Sequence, residues 1–296
     1  MRKTIALLPV AALALAACTR GNPLVPGPKK GQVTVGSASF PENVLLADIY
    51  ALALKAKGVK VTMRFNVGSR EVLYQQVQSG SITVLPEYNG ALLGYLDSKS
   101  RATTTAEIDA ELAAKLPAGV AILDPSPAED KNALVVAGAT AERDRLASIA
   151  DLAPFASDMT IGGPPEFKTR YQGLPALKEK YGLTFKDFTP LDTAGPITVR
   201  ALAGGTVQVA TLFTTDPNLV AQHFKVLADP QQVFSAQNVT PLTYQASMTP
   251  VATRTLNAVS AKLDTPALVA MMAKITNQKK DIDGVADEWL RAVGLK

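Results

Sequence analysis

Histidine occurs once in the 296 residues, as His223, cysteine once, as Cys18, and tryptophan once, as Trp289. A single imidazole leaves most metal sites and most general-base chemistry without their usual group. A lone cysteine has no partner for an intramolecular disulfide. The chain carries no Gly-x-Ser-x-Gly elbow, no His/Cys spacing of a metal centre and no Gly-x-x-x-x-Gly-Lys phosphate loop. Hydrolytic and nucleotide-dependent chemistry therefore lacks its parts, and no catalytic residue, metal or cofactor is expected. An excess of one charge is also missing: 30 Lys and Arg stand against 26 Asp and Glu, and the formal charge of +4 falls to +2 once residues 1–17, with Arg2 and Lys3, are removed. Such a balance makes no case for nucleic acid. The apolar run from Thr4 to Ala17 is shorter than the roughly 20 residues of a membrane-spanning helix, and no later stretch is a better candidate.

That run has another meaning. It follows Arg2 and Lys3 and ends on small residues, the pattern of a secretory signal peptide. Leu15-Ala16-Ala17-Cys18 resembles the bacterial lipobox, where cleavage precedes the cysteine and its sulfur carries a diacylglycerol. Lipidation accounts for a lone thiol in an exported chain. Thr19 to Gly31, with Gly21, Pro23, Pro26, Gly27 and Pro28, reads as a tether. The expected layout is a signal peptide over 1–17, a lipid-anchored tether over 18–31, and a folded body outside the cytoplasm, held at the cell membrane.

The body, from residue 32, is long enough for two domains, and 47% hydrophobic residues can fill their cores without disulfide or metal. Val33 and Val35 alternate as in a strand over 32–36. Pro41 then opens a helix whose apolar residues Val44, Leu45, Ile49, Leu52 and Ala53 recur at helical spacing until Gly58. A strand over 59–65, a helix over 69–79 and a strand over 82–85 follow, so strand and helix alternate and a mostly parallel α/β sheet is expected. The Pro- and acid-rich stretch 124–130 reads as a crossing between domains, and 228–234 as a second. Between them the pattern predicts a helix at 141–146, a strand at 159–162, a helix from Glu166 and a strand at 207–213. Beyond Thr240 the periodicity is helical, with apolar faces at Leu256/Val259/Leu263, Leu268/Met271/Met272/Ile275 and Val285/Trp289/Val293.

Four segments, in order, are similar to those of the osmoprotectant-type ABC transporter substrate-binding proteins, the binders of glycine betaine, choline, carnitine and proline betaine. They are Gly36-Ser37-Ala38-Ser39-Phe40-Pro41-Glu42-Asn43; Gly68-Ser69-Arg70-Glu71-Val72-Leu73 with Pro86-Glu87-Tyr88-Asn89-Gly90; Gly162-Gly163-Pro164-Pro165-Glu166-Phe167 with Arg170 and Gly173; and Gln237-Asn238-Val239-Thr240-Pro241-Leu242. The resemblance implies a type II periplasmic-binding-protein fold, with one lobe made of 32–125 and 234–296, a second of 126–233, and a solute held between them. It also implies a monomer that serves separate importer permease subunits.

Family sites hold a quaternary ammonium among aromatic faces and a carboxylate against basic groups or helix starts. Carried over, Tyr88 matches a cage tyrosine and Arg170 a carboxylate-contacting arginine. Asn132, Phe213 and Gln237 stand where the family often has tyrosine, and Ala38 where it often has lysine. Ser37 and Ser39 are expected at the opening of the first helix, as caps or ligand contacts. Asn89, Asp130 and Thr214 complete the expected ligand-binding set. Two amides in place of tyrosines suit a solute with hydroxyl or amide groups better than a bare trimethylammonium. A lipid-anchored solute sensor on the same fold, or a secreted enzyme using scattered carboxylates such as Asp124, Glu129 and Asp130, are the alternatives from other classes.

Overall fold

The computed structural model describes residues 30–296; the leader, Cys18 and the tether up to residue 29 lie outside the described residues. β1 (Gln32–Ala38) buries Val33 and Val35 and leads into α1 (Pro41–Ala56), which starts with proline in its first turn. Every residue of α1 from Glu42 to Leu54 is buried. A helix apolar on all sides belongs inside a domain, and α1 packs among β1, β2 (Lys60–Gly68) and three C-terminal helices: α9 (Pro250–Lys262), α10 (Thr265–Thr276) and α11 (Ile282–Ala292). Trp289 sits in that core together with Leu256, Leu268 and Met271.

β2 is followed by α2 (Arg70–Gln78), β3 (Val84–Tyr88), α3 (Asn89–Leu96), α4 (Thr105–Lys115) and β4 (Val120–Ile122). These strands join β10 (Val239–Tyr244) in a five-stranded sheet of order β2-β1-β3-β10-β4. The intervening chain builds a second sheet from β5 (Asn132–Ala137), β6 (Thr160–Gly163), β7 (Asp187–Pro190), β8 (Val209–Phe213) and β9 (Phe224–Val226), in the order β7-β6-β8-β5-β9. Helices α5 (Gly138–Asp144), α6 (Leu174–Tyr181), α7 (Pro196–Ala203) and α8 (Asn218–Ala221) surround it. Each sheet carries its own hydrophobic clusters. The chain passes between the sheets twice, over 123–131 and 227–238.

The sheets are mixed rather than mostly parallel. β1 pairs parallel with β2 and β3, and β6 with β7 and β8, but β10 runs antiparallel to β3 and β4, and β5 antiparallel to β8 and β9. The antiparallel partners are the strands that follow the two crossings: a chain entering a sheet from the other lobe has no βαβ crossover to fix its direction. β10 also lies inside a stretch read as helical. Its Pro241 stands directly opposite Pro86 of β3, and a proline counts against a central strand when only sequence is available. The helix expected from Glu166 is instead a short 3-10 turn, Pro165–Lys168, separated from α6 by a loop. At Gly173 a β-carbon would stand 2.1 Å from the Phe167 carbonyl oxygen, so the loop folds back there on a glycine.

Gly90, at the start of α3, fixes how the second crossing lies. A β-carbon on it would meet the Ala236 carbonyl oxygen at 1.9 Å and the Ser235 hydroxyl at 2.6 Å. The crossing therefore rests directly on the backbone of the first lobe. Asn89 reinforces this: its Oδ1 accepts from the backbone N–H of Asn238 at 2.8 Å and of Gly90 at 2.8 Å, and its amide donates to Asp109 at 2.8 Å.

Candidate functional site

A cavity of about 500 Å3 opens between the two sheets, beside the carboxyl ends of β1, β3 and β8, where α/β sheets commonly present ligand sites. Three rings meet on its wall. Tyr88 ends β3, Phe213 ends β8, and Phe40 precedes α1. Phe40 lies 5.2 Å from Phe213 and 6.3 Å from Tyr88, centroid to centroid, and Tyr88 and Phe213 are 6.5 Å apart and inclined by only 14°. Two of the rings come from the first lobe and one from the second, so the aromatic patch itself spans the cleft. Phe40 was visible in the sequence inside a family segment but was not expected at the site. Its position follows from the chain path: it is the N-cap residue of α1, in extended conformation at φ −144°, ψ 150°, where the chain leaves β1 and turns into the helix beside the cleft.

Polar groups converge beside the rings. Asn132, at the start of β5, Gln237, just before β10, and Ser39 and Asn43, at the mouth of α1, line the cavity. The Gln237 side chain is buried, and its Nε2 has no hydrogen-bond partner. A buried amide left unsatisfied costs free energy, so this donor favours a solute oxygen within its reach.

The charged lining is paired throughout. Arg70 is clamped onto Glu87, its Nε and NH2 donating over 2.9–3.1 Å. Arg170, from the loop after the 3-10 turn of the second lobe, reaches across to Glu71 of α2, donating from Nε at 3.0 Å and from NH2 at 2.9 and 3.0 Å. Glu166 stands 3.6 Å from the same guanidinium. Burial and the nearby Arg70 push Arg170 down, although Glu71 and Glu166 oppose this. Burial alone would raise the Glu71 carboxyl, but the Ser69 hydroxyl, at 2.5 Å, and Arg170 hold it below the usual range.

Behind the rings lies a buried carboxyl pair. Glu42 accepts from the Tyr88 hydroxyl at 2.7 Å and from the Thr215 hydroxyl at 2.5 Å, and Thr215 also lies 2.9 Å from Asp130. Burial raises both acids, Asp130 strongly, and the proximity of Glu42 raises Asp130 further. Burial and the Glu42 charge likewise keep Tyr88 a neutral phenol. Two acids sharing one buried donor cannot both ionise cheaply.

Of the ten expected site residues, Ser39, Tyr88, Asn132, Arg170, Phe213 and Gln237 line this cavity. The other four are not on its wall, Ser37, Asn89 and Asp130 being buried and Thr214 exposed elsewhere on the surface. Ser37 is fully buried and its hydroxyl accepts from the Asn66 N–H at 2.9 Å. Asn89 clamps the second crossing, as above. Asp130 faces Thr215, and Thr214 accepts from the Lys131 N–H at 2.9 Å. Neither serine caps α1, which has no side-chain cap; Asn43 instead accepts from the Ala38 N–H at 2.7 Å. Beyond Phe40, the sequence reading also missed Glu71, Glu87, Tyr95 and Tyr171 on the cavity wall. Arg70 and Glu71 stand within the family-like segment Gly68 to Leu73, but nothing in that segment tells which basic side chain an acid neutralises. Among the described residues no group of His, Cys, Asp and Glu is arranged to hold a metal ion, and no helix is long and apolar enough to cross a membrane.

Comparison with known proteins agrees with this architecture. Residues 31–292 match the family model for the OpuAC substrate-binding domain of ABC-type glycine betaine transport systems. The chain is 28% identical over 277 residues to the glycine betaine-binding protein YehZ of Escherichia coli K12, covering 88% of this chain and 90% of the relative. Its fold is that of a solved glycine betaine/carnitine/choline ABC transporter protein, with a TM-score of 0.68 at 22% identity, covering 89% of this chain and 99% of the other. Lactococcal OpuAC, solved closed around glycine betaine, superimposes with a TM-score of 0.63 at 18% identity, covering 89% and 96%. Two α/β lobes with an aromatic cleft between them, and a family match over nearly the whole described chain, identify this protein as a member of the family of substrate-binding domains of glycine betaine-type ABC transporters.

Proposed function

We propose that this chain is the extracytoplasmic receptor of an ABC importer, which closes its lobes over a small osmoprotectant-type solute and presents it to a separate permease. The observation that carries this reading is the aromatic patch of Phe40, Tyr88 and Phe213, assembled from both lobes beside the unsatisfied amide of Gln237. A solute with an apolar or quaternary-ammonium face and a hydrogen-bonding oxygen would complete both features at once, and in doing so would bridge the lobes. The lobes are taken as 32–125 with 234–296, and 126–233. Cys18 carries the lipid that keeps the receptor at the membrane, with 19–31 as its tether; the small-residue approach to Cys18 and its being the sole cysteine support this.

The test is a thermal-shift screen of the processed protein, purified from cells that express the full chain, against choline, carnitine, betaines, proline, polyols and sugars. A ligand that binds only the folded state raises Tm with its saturation, by about 2.7 kcal/mol of stabilisation at a hundredfold excess over Kd. At least one quaternary-ammonium or hydroxylated solute is expected to raise Tm, and Phe213→Ala to reduce the rise at equal solute concentration. A screen with no response would overturn the receptor reading. For the anchor, Cys18→Ser is expected to release the protein or leave it unprocessed; normal membrane retention of that variant would refute the lipid attachment.

A further inference from the structure

We propose that Glu71 sets the charge class of the solute: by occupying Arg170 it closes the site to solutes that carry a carboxylate and leaves it open to cationic or neutral ones. The inference rests on the reading of the cleft as the solute site. A solute carboxylate needs a cation or a set of free N–H donors. Two guanidinium groups line the cavity, Arg70 and Arg170, and three carboxylates, Glu71, Glu87 and Glu166. Both guanidiniums are already engaged by two nitrogens each, Arg70 by Glu87 and Arg170 by Glu71. No lysine is on the wall.

The helix starts are the remaining source of donors, and neither has a side-chain cap. α2 begins on the cavity wall with Glu71 in its first turn, and α1 begins beside it with Glu42 in its first turn behind the rings, so an arriving anion meets an acid at either start. A solute carboxylate arriving beside Arg170 would have to displace Glu71 from three contacts of 2.9–3.0 Å and would then face Glu166 and the displaced acid. A positive head gains from the same surroundings, because the lining carries a surplus of one negative charge and three ring faces. Glu71 is about 40% exposed, so it meets the solute across the cleft and is not locked in the core.

Choline and glycine betaine form a suitable pair of probes, since both carry trimethylammonium and differ in bearing a hydroxyl or a carboxylate. Calorimetry on the processed full-length protein is expected to give tighter binding of choline. In Glu71→Gln, which keeps the size of the side chain but removes its charge and one of its two acceptor oxygens, the ratio of the two affinities is expected to move toward glycine betaine by about tenfold, the effect of freeing one charge-assisted pair. Phe213→Ala should weaken both solutes together and leave the ratio where it was. If both solutes bind and the ratio is the same in wild type and Glu71→Gln, Glu71 does not select charge, while the cleft remains a solute site. If neither solute binds to either protein, this inference falls, and the receptor reading stands or falls with the wider solute screen.

Discussion

Asp48 shows how one side chain can work against the domain it sits in. It lies on the buried helix α1, is 2% exposed, and its Oδ1 has no hydrogen-bond partner. Burial, reinforced by the Asp283 charge and only partly offset by Lys55 and Lys296, pushes its carboxyl up to about 6. A carboxyl raised in the folded state stabilises the fold while it stays protonated, and that contribution is lost as pH climbs from about 4 through about 6. Asp48→Asn is therefore expected to raise Tm at neutral pH by roughly 2–4 °C, the shift for about 1 kcal/mol in a chain of this size. The gain should vanish below about pH 4, where wild type is protonated anyway. Thermal melts of both proteins at acid and neutral pH check this, and an equal difference at both would refute it. The sequence showed Asp48 amid apolar residues but not that a second acid, 235 positions later, would be folded against it. The same limit hid Phe40 and Glu71. Tyr88, Phe213 and Arg170 were legible because they stand in segments with a family pattern, whereas the pairing of Arg170 with Glu71 depends on a contact between lobes that no local pattern records.

At the scale of elements, the crossing segments carry chemistry of their own. The first brings Asp130 to Thr215, which follows β8, and Thr215 reaches Glu42 in the first turn of α1, so one hydroxyl ties a crossing, the second lobe and the first. The groups facing this pair are the Tyr88 hydroxyl, which donates to Glu42, the Thr215 N–H, which donates to Asp130, and Asp216, whose charge opposes that of Glu42. Burial raises both carboxyls, so the tie is strongest while the pair keeps a proton and weakens as pH rises past the ordinary carboxylate range. Between about pH 5 and about pH 9 the fall in Tm is expected to be smaller in Glu42→Gln than in wild type. Parallel profiles would mean that the pair does not hold a proton in the fold. The crossings themselves were legible as breaks in composition at 124–130 and 228–234. β10 was not, because Pro241 masks a strand that five buried residues and a partner strand on each side impose.

The whole molecule raises the question of what closes it. Side chains of the two lobes touch one another directly: Arg170 on Glu71, Thr215 on Glu42, the Gln172 amide on the Ser235 hydroxyl at 3.2 Å, and Phe213 on Phe40. A two-lobe receptor exchanges between open and closed arrangements, and a solute shifts that exchange only by its preference for one of them. Contacts made by the lobes themselves favour the closed arrangement independently of the solute and reduce the shift left for it to make, so ligand-driven compaction should be modest in wild type. Removing two of the ties, in Glu71→Gln combined with Thr215→Ala, tilts the empty protein toward the open arrangement. Its solute-free radius of gyration is then expected to exceed that of wild type, and saturating solute should bring both proteins to the same compact value. Small-angle scattering measures all four states. Superimposable solute-free curves for wild type and the double variant would show that these contacts do not hold the lobes, and that closure must be driven by the solute alone.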